Sequence, residues 1–189
     1  MYFIYPLTCS IIKHMAYPHT PKLNFPLKEY KVNSYKFRED CKYKGIRWGI
    51  HLGEDINRKA GTKVKAIGTG SVIYSKLHPG TKKHSNWGNI IIIAHKYPKA
   101  KKVFFSLYAH LAKRYVQKGD KVKQGKIIGT IGKANTPEGG WWPDAHLHFA
   151  IYKGGWKGKV LPGYWKKSQK RTRLRDWETP TKFIRSYLQ

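Results

Sequence analysis

The 189-residue sequence predicts an all-β domain closed by a short C-terminal helix. Three observations carry that reading. Runs rich in β-branched and aromatic residues recur along the chain, Gly, Pro and Asn separate them, and no segment before the last residues has a helical apolar period. The length suits one domain with a real core. Seven Trp and thirteen Tyr supply that core, and eighteen Gly and ten Pro favour many turns.

The strand candidates, in order, are "KVKAI" from 63, "SVIYSKL" from 71, "NIIIIAH" from 89, "VFFSLYAHL" from 103, "KIIGTIG" from 126 and "HLHFAIY" from 146. Side chains alternate between the faces of a strand. In "VFFSLYAHL" this places Val103, Phe105, Leu107, Ala109 and Leu111 on an apolar face and Ser106, Tyr108 and His110 opposite, so His110 is expected on the polar side. In "HLHFAIY" it places His146, His148, Ala150 and Tyr152 on one face and Leu147, Phe149 and Ile151 on the other. Two longer loops, 78–88 and 133–145, interrupt the strands and are natural carriers of substrate contacts. Near the end, Thr179 before Pro180 is placed to cap a short helix through "TKFIRSYLQ". The expected organisation is a leader or N-terminal extension (1–23), the domain (24–155) and a basic C-terminal extension (156–189) containing that helix. Within the extension, the basic "LPGYWKKSQKRTRLRDW" (161–177) reads as a tail rather than core.

The net charge of +28, from 38 Lys and Arg against 10 Asp and Glu, demands a polyanionic partner. Nucleic acid, anionic lipid and anionic cell-wall polymers all meet that demand, and charge alone does not choose among them. Cys9 and Cys41 imply no disulfide framework. The apolar start "MYFIYPLTCSII" lacks a basic n-region and a small-residue cleavage site, so no signal peptide is recognisable, and it is too short to span a bilayer. Met15 is expected to be the true start.

The chemistry lies in the histidines and one of the scarce carboxylates. "HLGED" sets His51 and Asp55 four residues apart, and Gly53 between them argues against a helix. Zinc accepts imidazole nitrogen and carboxylate oxygen, and a catalytic zinc site offers three protein ligands with a fourth position for water. His51, Asp55 and one histidine of "HLH" complete such a set, leaving His110 and the other "HLH" histidine to accept and donate protons beside the activated water. Strand alternation does not rank His146 against His148. His95 shares a face with Ile91 and Ile93 and is better read as a packed, hydrogen-bonded strand residue. His14, His19, His78 and His84 fall in loops or the leader. Trp141 and Trp142 are candidates for lining a substrate groove, with pinning of their own loop as the plainer alternative.

In order along the chain, "HLGEDI" (51–56), "GTKVKAIGTGSVIYS" (61–75), "WGNIIIIAH" (87–95), "YAHL" (108–111), "VQKGDKVKQGKIIGTIG" (116–132) and "HLHFAIY" (146–152) resemble the lysostaphin-type, or LytM-type, zinc peptidases that cut peptidoglycan cross-links. The resemblance spans roughly a hundred residues and is far more specific than any one motif. It implies an antiparallel β-sheet or sandwich fold with the site in a groove walled by loops, one Zn2+ ion held by His51, Asp55 and His148, and His110 and His146 as the catalytic histidines. It also likens "FPLKEYKVNSYKF" (25–37) to the strand that opens such domains. The "EGGWW" loop and the high charge depart from the family pattern and bear on substrate choice.

The expected function is therefore a zinc metalloendopeptidase acting on peptidoglycan cross-links or stem peptides. Anionic wall polymers are the expected further partners of the positive surface, and the chain is expected to be a monomer. It would act at the cell wall, whether as a host remodelling enzyme, a bacteriolysin or a phage-delivered endolysin. The alternative is a non-catalytic wall-binding or regulatory module on the same fold. Specific nucleic-acid binding is not expected, and "VQKGDKVKQGKIIG", which is similar to the hairpins of biotin and lipoyl carriers, is read as scaffold.

Overall fold

The run Ile90–Ile93 contains no polar residue, and all four side chains are fully buried. That composition requires a strand covered on both faces. In the computed structural model, which describes residues 17–188 apart from 44, 98–101 and 169, this run is the middle of β6 (Gly88–Lys96). Antiparallel neighbours flank it, β5 (Gly70–His78) on one side and β7 (Val103–Arg114) on the other. Alternation then divides the core. Ile91 and Ile93 join Phe104, Tyr108, Leu147 and Phe149 in one cluster, while Ile90 and Ile92 join Phe105, Leu107, Ala109 and Ala150 in the other.

The remaining strands are β1 (Asp40–Tyr43), β2 (Ile46–His51), β3 (Glu54–Asn57), β4 (Lys63–Lys65), β8 (Lys121–Val122), β9 (Ile127–Ile131), β10 (His146–Tyr152), β11 (Tyr164–Trp165) and β12 (Trp177–Glu178). Nine of the twelve form one large antiparallel sheet along the path β12-β10-β7-β6-β5-β8, with β3 joined to β10, β9 to β7 and β4 to β9. The other three, β1-β2-β11, form a small sheet that carries His51 at the end of β2. All six strand candidates appear as strands.

Four expectations are corrected. Residues 25–37 form no strand; they are irregular chain with bends at 26–29 and 34 that covers the core with Phe25 and Leu27 and runs past the site with Ser34 and Tyr35. The segment after residue 155 is not a tail. Leu161 and Trp177 are buried, β11 extends the small sheet and β12 extends the large one, because the aromatics interleaved with its charges have apolar surface to bury. The leader boundary at 23 is also displaced. Thr20 and Leu23 are fully buried, and Leu23 N donates to Tyr187 O at 3.0 Å. Residues 1–16, with Cys9, His14 and Met15, lie outside the described residues. His78, expected in a loop, is the last residue of β5.

The C-terminal helix, α1 (Pro180–Arg185), forms with Pro in its first turn, and Phe183 and Ile184 enter the core. Thr179 stands at the N-cap but makes no side-chain cap. The orphan helix donors are met from elsewhere. Thr181 donates through both its N–H (3.0 Å) and its Oγ1 (2.7 Å) to the buried carboxylate of Glu54. Tyr30 donates to the same oxygen, and burial followed by the Glu54 charge pushes its phenol pKa well up.

Candidate metal centre and catalytic cavity

Residues of β10 pair with β3 in a register that sets His148 directly opposite Asp55 and His146 opposite Asn57. On its other edge β10 pairs with β7, His148 lying opposite Ala109. Leu147 and Phe149 point into the core cluster behind, as alternation requires. The face that bears His146 and His148 opens on a cavity of about 440 Å³.

His110 reaches that cavity by a route that simple alternation misses. Phe104 and Tyr108 face one core cluster and Phe105, Leu107 and Ala109 the other, yet Leu111 returns to the side of Tyr108. The parity slips at His110, whose φ of 62° is left-handed. Opposite it the register shifts between Asn89 and Ile91, so β7 carries one extra residue. This is a β-bulge, and it re-aims a side chain. The expectation that His110 sits across the strand from Ala109 is thus corrected: Ser106 and Tyr108 are buried, and the bulge turns His110 to the cavity side. Its N–H donates to Trp87 O (3.0 Å) and its carbonyl accepts from Gly132 N (2.8 Å), which holds the bulge in place.

Three side chains converge behind the cavity. His148 Nδ1 lies 2.9 Å from Asp55 Oδ1 and 3.0 Å from His51 Nε2, and His51 Nε2 lies 3.4 Å from Asp55 Oδ2. All three residues are buried, and one donor atom from each falls within 4.8 Å of the others. His51 Nδ1 sits 3.1 Å from the Lys36 carbonyl, which only accepts, so Nδ1 carries the proton and Nε2 presents its lone pair. Two imidazole nitrogens and a carboxylate thus meet in one buried space. Such a crowd of electron pairs suits a cation, and two imidazoles with one carboxylate are a zinc donor set. Gly53 makes the approach possible, since a Cβ there would lie 2.7 Å from both His148 Nε2 and the Phe149 carbonyl.

The electrostatics agree with a site made for positive charge. Burial raises the Asp55 pKa, but the two histidines beside it outweigh burial and hold it well below the usual carboxylate range. Burial lowers His51, and here Asp55, the Lys36 carbonyl and Glu39 prevail, so its pKa rises. For His148 burial wins and the pKa falls.

His110 and His146 stand together in front of this trio, with ring centroids 4.6 Å apart. His146 Nδ1 is 2.8 Å from the Asp144 carbonyl, so that nitrogen carries the proton and Nε2 faces Asp55 Oδ2 at 4.0 Å. Burial, then the neighbouring His146 and His148, hold the His110 pKa well below the ordinary value, so its ring is neutral at neutral pH. A neutral imidazole either takes or gives a proton.

Loops 79–87 and 133–145 wall the cavity. Trp142 Nε1 donates to Asn86 O (3.0 Å), and Ser85 Oγ donates to Trp141 O (3.0 Å). Gly88, with φ 59°, lets the two backbones touch: a Cβ there would meet Glu138 O at 2.0 Å. Trp142 lines the cavity and packs on Trp48 (centroids 4.7 Å) and His110 (5.6 Å). Trp141 is not among the lining residues; it has a left-handed backbone (φ 59°) and its N–H donates to Thr136 O. Sequence reasoning missed Trp48 and Tyr164, which complete the wall from the small sheet, the Tyr164 ring 5.4 Å from that of His51. The aromatic residues within the basic segment were the available signal. His95, as expected, is a structural residue, held between Thr69 O (2.9 Å) and Ser106 Oγ (2.7 Å).

The model of Peptidase family M23 matches residues 49–160, which span β2 to β10 and hold all five of these histidine and aspartate side chains. The chain belongs to peptidase family M23. Its fold is that of a metallo-endopeptidase domain of that family. Among the relatives of this M23 chain, lysostaphin from Staphylococcus staphylolyticus is 35% identical over 105 residues, covering 56% of this chain and 19% of that protein. The peptidoglycan DD-endopeptidase ShyA from Vibrio cholerae serotype O1 is 32% identical over 101 residues, covering 53% and 20%. The aligned part therefore spans only a fifth of these curated relatives. Among solved structures, the catalytic domain of lysostaphin from Staphylococcus simulans superposes with a TM-score of 0.53 at 25% identity, covering 82% of this chain and 92% of that one. A zinc-containing peptidase from Vibrio cholerae superposes with a TM-score of 0.55 at 28% identity, covering 70% and 37%. Among the described residues no helix is long and apolar enough to cross a membrane.

Proposed function

We propose that this M23 chain is a zinc-dependent endopeptidase that hydrolyses peptide cross-links or stem peptides of bacterial peptidoglycan, acting at the cell wall. The observation that carries the proposal is the grouping of five side chains at one cavity: His51, Asp55 and His148 behind, His110 and His146 in front. Relatives named as peptidoglycan endopeptidases and as lysostaphin supply the substrate class.

In this reading His51 Nε2, Asp55 and His148 Nδ1 hold one Zn2+ ion. Bound there, zinc supplies Lewis acidity, which lowers the pKa of water to about 7 and polarises a carbonyl. The protein's own residues do the rest. The Lys36 carbonyl fixes the His51 tautomer, and the Asp144 carbonyl fixes that of His146 with Nε2 toward the cavity. His110, neutral at neutral pH, and His146 would accept the proton of the attacking water and return it to the leaving amine. The aromatic wall of Trp48, Trp87, Trp142 and Tyr164 excludes water and grips the peptide backbone. The net charge of +28 holds the enzyme on an anionic wall and concentrates it near its substrate.

The test is the release of new amino termini from purified peptidoglycan. Chelation and His148→Ala should each abolish it, and added Zn2+ should restore the chelated wild type. Full activity in excess chelator would contradict the mechanism.

A further inference from the structure

The catalytic cavity lacks the cationic side chains that dominate this protein. Lys and Arg make up 38 of 189 residues, yet none of the described residues lining the cavity is Lys or Arg. Two of the 10 carboxylates line it instead, Asp55 and Asp144. A second cavity, of about 340 Å³, has the character expected of this surface: Lys157, Lys159, Lys170 and Arg171 line it, and no carboxylate does. The lack of cationic lining is therefore particular to the catalytic cavity.

The two carboxylates differ in what they do. Asp55 is consumed by His51 and His148. Asp144 is exposed, and no hydrogen bond or ion pair among the described residues engages its carboxylate. Only its backbone carbonyl is used, by His146. Asp144 precedes His146 by two residues, so the backbone cannot separate them by more than about 7 Å. An acceptor-only group at that place takes any N–H or O–H donor, and a cationic donor binds it most strongly. The field of a +28 protein opposes the approach of such a group, so the attraction must come from within the cavity itself.

We propose that Asp144 is a specificity-determining residue that selects peptides carrying a free ammonium group beside the scissile bond. The ammonium belongs either to an amino-acid side chain or to a free amino terminus, and both present the same chemistry to the carboxylate. This rests on the endopeptidase reading for what is cut, but it can be tested by binding alone.

The probes are a cross-linked stem-peptide dimer with both kinds of amine free and two versions in which the side-chain amine or the α-amine is acetylated. Binding to the wild type and to Asp144→Asn is followed by tryptophan fluorescence, with cleavage followed in parallel. The wild type should bind the free peptide about tenfold tighter than one of the acetylated versions, and which one identifies the source of the ammonium. In Asp144→Asn that ratio should collapse toward one. A wild type indifferent to acetylation would overturn the proposal, and so would a variant that keeps the wild-type ratio, even if it weakens all three peptides equally. Binding without cleavage would remove the endopeptidase reading and still decide the role of Asp144.

Discussion

Asp55 and His148 face each other across neighbouring antiparallel strands, and their side chains meet at 2.9 Å. The pairing is a register property, so the proposed zinc ligands on β3 and β10 are brought together by the same backbone hydrogen bonds that build the sheet. Precision at the site then depends on how closely β3 and the preceding turn can pack against His148. Gly53→Ala should displace the ring, because the new Cβ would lie 2.7 Å from Nε2 and from the Phe149 carbonyl backbone. The expected outcome is a fall in zinc affinity of about 10- to 100-fold by chelator competition. Unchanged affinity would mean that β3 yields freely.

The left-handed backbone at His110 carries a conformational cost. An L-residue with a Cβ loses about 1–2 kcal/mol in that conformation, and glycine does not. His110→Gly should therefore be more stable than His110→Ala by about 1 kcal/mol, the reverse of the usual order within a strand, while both lose peptidase activity. Denaturant midpoints of the two variants check this, and Ala more stable than Gly would count against the bulge.

His95 predicts a pH dependence of stability. Burial, only partly offset by the Thr69 carbonyl, lowers its pKa from 6.5 to about 4. Between those values the unfolded chain binds a proton that the folded chain refuses, so stability falls as pH drops. The contribution is fully present above pH 6.5 and is lost as pH falls to about 4, amounting to about 3 kcal/mol. Urea unfolding from pH 7 to 4 should show a shallower loss in His95→Gln than in the wild type. Parallel curves would remove the assignment to His95.

The C-terminal segment should be indispensable to the fold. Trp177 is 2% exposed and its ring packs on Tyr152 with centroids 4.8 Å apart. Trp177→Ala should cost about 3–5 kcal/mol, and a chain ending at Gly155 should not show a cooperative unfolding transition. A truncated chain of wild-type stability would restore the view of this segment as a tail.

What was legible in the sequence follows the physics of each signal. Strands such as β6 and β10 announce themselves because alternation and β-branched runs are local, and the five candidate site residues stand out because they fall in short motifs that keep a fixed order along the chain. The face of His110 was misassigned because one left-handed residue shifts the parity of everything beyond it, and nothing in "YAHL" marks that slip. β11 and β12 were missed because they are two residues long and embedded in cations, so their strand character exists only through pairing with β2 and β10. Glu54 likewise could be placed opposite Asp55 by alternation, but its role in holding the start of α1 depends on a contact 127 residues away.

The central claim is a division of labour between two histidines one residue apart. Zinc affinity measured by chelator competition for the wild type, His148→Ala and His146→Ala tests it most directly. His148 Nδ1 is within 3.0 Å of both His51 Nε2 and Asp55 Oδ1, whereas His146 Nε2 stands 4.0 Å from Asp55 Oδ2. The account predicts that His148→Ala loses zinc while His146→Ala keeps it and loses about 10²–10⁴-fold in hydrolysis. Loss of zinc from His146→Ala with retention by His148→Ala would contradict it.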